Sequence, residues 1–275
     1  MRGGSRVKRF LPVEELARDE RFIRSDLAEG FADPRNGRVR DRTISTARLQ
    51  PDRAAAPDRA RSLMHGIFVG EIQALEAAGR TTFDFDDADA PFALKLDMAR
   101  QCWDESRHVE ISVKLGEHMG TEIGEYTEAT FLYEAACVTD PAMRLAGVNR
   151  ALEGLAIDVF NTMKDFGEAS GDPVLKFCED WMLADEVTHV KMGSDWLRRL
   201  TERDPERRER ALEFQRAVDK LFSLGGFRGE TDESPIQIAR RFRELAGFDT
   251  KEIDEIAGLA AESIAETRAL LGKTG

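Results

Sequence analysis

"CWDESRH", residues 102–108, sets an Asp, a Glu, an Arg and a His inside a stretch that otherwise reads as a buried helix. Burying ionisable groups is costly unless they are paired or coordinated, so the segment needs a compensating partner. A second copy of the pattern, "DEVTH", stands at 185–189. Helix residues three apart lie on one face with their Cβ atoms about 5–6 Å apart. Glu105 with His108, and Glu186 with His189, can therefore each present a carboxylate and an imidazole to a single point.

Outward from these pairs the chain repeats itself. Aligning "EIQALE…APFALK…DESRH" with "EGLAID…DPVLK…DEVTH" sets Glu71 on Glu153, Pro91 on Pro173, Asp104 on Asp185 and His108 on His189. The Glu-to-His separations are 37 and 36 positions. Two helix hairpins of one design, packed about a pseudo-twofold axis, would gather the carboxylates and imidazoles of both copies at the middle of one bundle. Helical periodicity supports this, with turn-like clusters of Gly, Pro and Asp as boundaries. It places helices at about 58–80, 91–119, 141–169 and 173–200. The short polar connections "RTTFDFDDADA" and "GEASGD" make each pair an antiparallel hairpin. The longer stretch 120–140, with a short helix around "EATFLYEAAC", crosses the length of the bundle. Three further helices are expected at 204–224, 234–247 and 250–272, with Thr250 as an N-cap, to cover the bundle or mediate assembly. Strand-like alternation is nearly absent. The fold class is all-α, a ferritin-like four-helix bundle over 58–201 with an N-terminal arm over 1–57 and a helical extension over 202–275.

The six residues form a coherent ligand set. Each ExxH pair can hold one metal ion, while Glu71 and Glu153 from the other two helices complete or bridge the pair. Mixed N/O donors without thiolate suit Fe or Mn and argue against structural zinc. Four carboxylates neutralise two divalent cations. The surroundings agree: around Glu71, Met64, Ile67, Phe68, Ala74, Leu75 and Ala78 occupy the helical-stripe positions. Glu153 is less clean, and a salt bridge to Arg150 competes with the metal there. One ExxH alone would read as a solvated face or a satisfied core pair; the matched recurrence favours a di-metal site. His65 and His118 lack that pattern and read as structural. Asp104 and Asp185 point off the ligand face, and metal-bound His usually donates its second N–H to a carboxylate. Each Asp is therefore expected to brace a ligand His across the bundle, with Arg107 pairing one of them; exposed helix charges are the plainer alternative.

Composition bounds the class. The 275 residues are 41% hydrophobic, enough for a substantial core, and no run approaches the roughly 18 apolar residues of a membrane span. The charged N-terminus lacks the apolar region of a signal peptide, so a cytoplasmic protein is expected. Cys102, Cys137 and Cys178 form no CxxC and read as reduced core residues. A net charge of −12 disfavours nucleic acid as partner. Residues 1–62 carry 15 Lys and Arg against 10 Asp and Glu, a local +5 that leaves −17 on the remainder, which suits an arm wrapping an acidic body better than an RNA-binding tail.

"DESRH" resembles the D-E-x-R-H motif of the di-iron hydroxylases of bacterial multicomponent monooxygenases, and "DEVTH" is its partner without the Arg. From about 58 to 201, with "EIQALEAAGR" and "LKLDMARQCWDESRH", the chain resembles an uncharacterised family of ferritin-like domain proteins. The resemblance implies O₂ or peroxide chemistry at two metals, held by Glu71, Glu105, His108, Glu153, Glu186 and His189. Iron-storage ferritins carry one ExxH in a shorter chain, and ribonucleotide reductase radical subunits carry a Tyr where this chain has Ser112. The leading expectation is an oxidase or oxygenase using two Fe ions (or Fe/Mn, or Mn/Mn) and O₂ to hydroxylate or N-oxygenate a small-molecule substrate. Gly70, Ala74 and Ala156 are small residues that would leave room for it. The alternative is peroxide or metal handling of the manganese-catalase or rubrerythrin type without an organic substrate; a third is a helical interaction protein with a vestigial site. No flavin, nicotinamide or ferredoxin motif is visible, so electrons would come from a separate donor protein or from the substrate. A homodimer is compatible with the pattern.

Overall fold

The computed structural model describes residues 22–23, 57–85, 89–121, 123–126, 128–223, 228–229 and 236–271. Its architecture is all-α. Two long hairpins dominate: α1 (Pro57–Asp84) lies along α2 (Phe92–Met119), and α5 (Glu153–Ser170) lies along α6 (Pro173–Leu200). The hairpins meet where α2 packs on α6. Between them come the short helices α3 (Phe131–Ala136) and α4 (Pro141–Arg144). Helix α7 (Pro205–Ser223), α8 (Arg240–Leu245) and α9 (Thr250–Leu271) follow.

Local chemistry explains the ends of these helices. Asp172 caps α6, its carboxylate accepting the Val174 and Leu175 N–H groups at 3.1 and 3.0 Å, with Pro173 at the first helical position where its missing N–H costs nothing. Gly120 and Gly171 end α2 and α5 with φ of 80° and 74°, a left-handed conformation that disfavours a Cβ. The following residues donate back into the helix, Thr121 to Gly116 O and Asp172 to Gly167 O, both at 2.8 Å, as in a Schellman motif.

The helix expected over 141–169 is not uniform. Leu145–Leu152 forms a π-helical stretch between α4 and α5, and all eight of its residues are buried. Each π turn takes in an extra residue, so the positions that follow are rotated relative to a continuous α-helix. Close packing accompanies it. A Cβ on Gly193 of α6 would collide with Asn149, and one on Gly147 would collide with the Phe214 ring of α7.

Two more expectations need correction. The helix expected over 234–247 shortens to α8, because Ile236–Gln237 pairs in parallel with Arg228–Gly229 as a small two-strand ladder. The N-cap of α9 is Asp249 rather than Thr250: Asp249 Oδ1 accepts the Glu252 N–H at 2.9 Å and Glu252 Oε2 accepts the Asp249 N–H at 3.0 Å, a capping box. The arm expected over 1–57 lies almost wholly outside the described residues, apart from Phe22–Ile23, which pairs with Glu128–Ala129. The cysteines are free and half-buried rather than fully in the core.

One apolar cluster runs from α1 through α5 and α6 into the C-terminal helices. Met64, Ile67, Phe160, Met163, Met182 and Leu183 share it with Phe248, Ile253 and Ile256. No helix among the described residues is long and apolar enough to cross a membrane.

Candidate metal centre

Four helices bring the six singled-out residues into the interior, each at most 4% exposed. They form two groups. Glu71, Glu105, His108 and Glu186 offer one ligand atom each within 4.8 Å of one another, as do Glu105, Glu153 and His189. Glu105 belongs to both groups because its two oxygens face different imidazoles: Oε2 lies 3.3 Å from His108 Nδ1 and Oε1 lies 3.2 Å from His189 Nδ1. Glu186 Oε1 is likewise shared, at 3.3 and 3.5 Å from the same two nitrogens. Glu71 stands at the His108 end only, with Oε2 3.0 Å from Nδ1.

The imidazoles turn their other nitrogens outward in a crossed arrangement. His108 Nε2 lies 3.2 Å from Asp185 on the opposite hairpin, and His189 Nε2 lies 3.3 Å from Asp104. Arg107 donates to Asp104, lies 3.4 Å from Asp185 Oδ2, and stacks over the Trp181 ring at 4.7 Å. Asp104 is 5% exposed, which sets aside the reading of a solvated helix charge. Outer carboxylates of this kind fix the tautomer and plane of an imidazole, and losing one typically lowers metal affinity about 10–100-fold. Asp104→Asn and Asp185→Asn should each weaken metal retention on that scale in competition with a chelator; unchanged retention in both would remove the bracing role.

A buried site full of acceptors fits a cation better than protons. Three carboxylate oxygens surround His108 Nδ1, yet a single ring proton can serve only one well. Glu105 Oε2, Glu186 Oε2 and His189 Nδ1 are buried with no hydrogen-bond partner. Orphaned polar atoms converging on one space are rare in native interiors, and an ion is one standard explanation. These Glu and His groups can hold a metal ion.

The whole arrangement falls inside a recognised family region. A family model described as "Protein of unknown function (DUF455)" matches residues 11–254. The chain belongs to the DUF455 family. No curated protein and no solved structure matches it.

In this DUF455 protein the fourth Glu is positioned by amides. Gln101 donates to Glu153 Oε1, Asn149 Nδ2 donates to Glu153 Oε2 at 3.2 Å, and the same Asn149 amide reaches Gln101 Oε1 at 2.9 Å. The π stretch thus places Asn149 where it orients the carboxylate. The competing ion pair with Arg150 is not formed. Arg150 points the other way, to Gln215 at 2.8 Å and to Ser194 and Glu252 at 2.5 Å each.

Proton chemistry follows from crowding. Burial, followed by the charge of Glu105 and its neighbours, pushes Glu71 up to about 8 despite the His108 hydrogen bond. Burial and the carboxylates of Glu186 and Glu105 raise Glu153 well above the carboxylate range. Glu105 moves the opposite way: burial alone would raise it, but His189 and His108 hold it below its usual range. Both imidazoles are raised by the surrounding carboxylates against the penalty of burial.

Sequence reading missed Glu179. It is fully buried on α6, neither carboxylate oxygen has a partner, and burial with the nearby Glu71 charge raises it well above the carboxylate range. The signal was present, since Glu179 lies two helical turns before Glu186 on a stripe with Met182 and Leu183. The two residues read as structural are so placed: His65 Nε2 accepts the Gly124 N–H at 3.0 Å, and exposed His118 pairs with Asp172 at 2.8 Å.

Proposed function

We propose that this protein is a ferritin-like, non-haem di-metal oxidase or oxygenase. Glu71, Glu105, His108 and Glu186 would hold one ion, and Glu153, His189 and the shared Glu105 the other. Four carboxylates with two neutral imidazoles balance two divalent cations, and the absence of thiolate suits Fe or Fe/Mn. The observation that carries the reading is the double role of Glu105, whose oxygens face both imidazoles from one buried side chain. Bound there, a reduced metal pair supplies electrons for O₂ reduction, applied here to the hydroxylation or N-oxygenation of a small organic substrate.

The chain's own work is to orient and to exclude. Asp104 and Asp185 hold the imidazole planes, Gln101 and Asn149 hold Glu153, and the Phe160 and Trp181 rings stand edge-on to His108 at centroid distances of 6.3 and 5.8 Å, keeping water from it. Ligands must be deprotonated to bind metal. Glu71 is protonated below about pH 8 in the metal-free protein, and both imidazoles are raised as well, so uptake releases protons and affinity rises with pH through about 8.

Anaerobic titration with Fe(II) at stepped pH tests both statements. Two ions per chain should bind, more tightly as pH rises, and admitting O₂ should develop the absorption of an oxidised di-iron centre. Failure to bind either Fe(II) or Mn(II) would overturn the reading and favour a vestigial site. Rapid O₂ evolution from added peroxide would replace it with peroxide handling.

A further inference from the structure

A cleft of about 330 Å³ opens between α1 and α2, one helical turn from the carboxylate–imidazole cluster. Its walls include Met64, Phe68, Val113 and Ile123, with His65, Ser112, Glu117 and Thr121 as polar members. On α1, Phe68 lies three residues before Glu71, and on α2, Ser112 lies four residues after His108. At 1.5 Å of rise per residue the cleft is therefore about 6 Å along the helix axes from those side chains. Met64 and Ser112 are buried, whereas Glu117 and Ile123 are exposed and form the mouth.

Ser112 is the unusual member. Buried hydroxyls on these helices bond to the carbonyl four residues back: Thr81 to Ala77 at 2.8 Å, Ser194 to Val190 at 2.9 Å, Thr201 to Leu197 at 2.7 Å and Ser223 to Asp219 at 2.9 Å. Ser112, 1% exposed, has no hydrogen-bond partner. A buried hydroxyl left unsatisfied is destabilising, and a ligand group in the cleft would satisfy it. The charges exclude one class of occupant. Among the described residues no Lys or Arg lines the cleft, Glu117 stands at its mouth, and the one imidazole in its wall, His65, uses Nε2 to accept the Gly124 N–H.

We propose that this cleft is the substrate-binding site of the di-metal centre, and that it takes a small, mainly apolar, non-anionic molecule with one alcohol or amine group hydrogen-bonded to Ser112. The cleft shares no residue with Gly70, Ala74 or Ala156, the positions that sequence reading offered as substrate room. The size agrees, since about 300 Å³ is the lower end of small-molecule pockets. Its placement beside the metals rests on the function proposed above; its occupancy does not.

Ligand-detected saturation-transfer NMR on the full chain separates the two, with benzyl alcohol, benzylamine and benzoate as probes. Metal-free protein should give signal for the alcohol and the amine and none for benzoate. Ser112→Phe, which fills the inner end, should abolish the signal, and Ile123→Trp at the exposed mouth should do so without touching the core, so that a folding defect in the first variant leaves the test decided. Mn(II)-loaded protein should broaden the resonances of the bound probe. Equal binding of benzoate, signal that survives both variants, or probe binding to the Mn(II)-loaded chain without broadening would overturn the proposal. Probe binding with no Mn(II) uptake would sink only the di-metal reading, and Mn(II) uptake with no probe binding would sink only the cleft.

Discussion

Glu105→Ala is expected to strip the protein of both metal ions, whereas Glu71→Ala and Glu153→Ala should each lose one. The asymmetry comes from geometry. Glu105 is common to both ligand groups, and its two oxygens lie 3.3 and 3.2 Å from the inner nitrogens of His108 and His189. Glu71 belongs only to the His108 group and Glu153 only to the His189 group. Replacing an outer carboxylate that merely supports a ligand lowers metal affinity about 10–100-fold, so removing a shared ligand should exceed 100-fold at both positions. Elemental analysis after dialysis against a weak chelator, with far-ultraviolet circular dichroism as the folding control, would give near zero, one and one ions per chain. Retention of one ion by folded Glu105→Ala would show that the two groups do not share it, and the dinuclear reading would fail.

The hairpins were legible because their signals are local. Asp172-Pro173 starts α6 where periodicity put it, since the cap and the proline act within one turn. The ExxH pairs needed only the i, i+3 geometry of a helix, and the matched offsets of Glu71 and Glu153 supplied the rest. The π stretch was not legible. "LAGVNRAL" holds no proline and a single glycine, which a helix tolerates, and its extra residue per turn accompanies the close seating of Gly193 against Asn149 and of Gly147 against Phe214, contacts between elements far apart in sequence. The competing Arg150–Glu153 pair could not be judged from sequence for the same reason: proximity suggested it, but the partners of Arg150, Ser194 and Glu252, lie 44 and 102 positions away. Asp104 and Asp185 show an intermediate case, because helix geometry turned them off the ligand face while only the packing of α2 on α6 decides that each meets the His of the other hairpin.

Arg243→Met should lower the melting temperature by roughly 10 °C, the largest stability effect expected of a single change outside the metal cluster. Arg243 and Asp158 are both fully buried. The guanidinium grips the carboxylate from two nitrogens, Nη2 to Oδ2 at 2.7 Å and Nε to Oδ1 at 3.0 Å, while Nη2 also donates to Gly154 O at 2.6 Å. Removing the cation takes from Asp158 the guanidinium that faces both of its oxygens, while the Ala239 N–H at 2.8 Å stays. Breaking one side of a buried pair costs about 3–5 kcal/mol, and each kcal/mol is worth about 2–4 °C in a chain of this size. The double change Asp158→Leu with Arg243→Met should recover much of the loss, because apolar replacement of a buried pair is often neutral; a double variant no better than Arg243→Met would assign the effect to lost packing over Phe248 instead. The pair also ties α8 to the start of α5, one residue after Glu153. Loosening that tie should weaken the ion at the His189 end more than the one at the His108 end, so metal analysis of Arg243→Met gives a second readout. Equal retention at both ends would confine the role of Arg243 to stability.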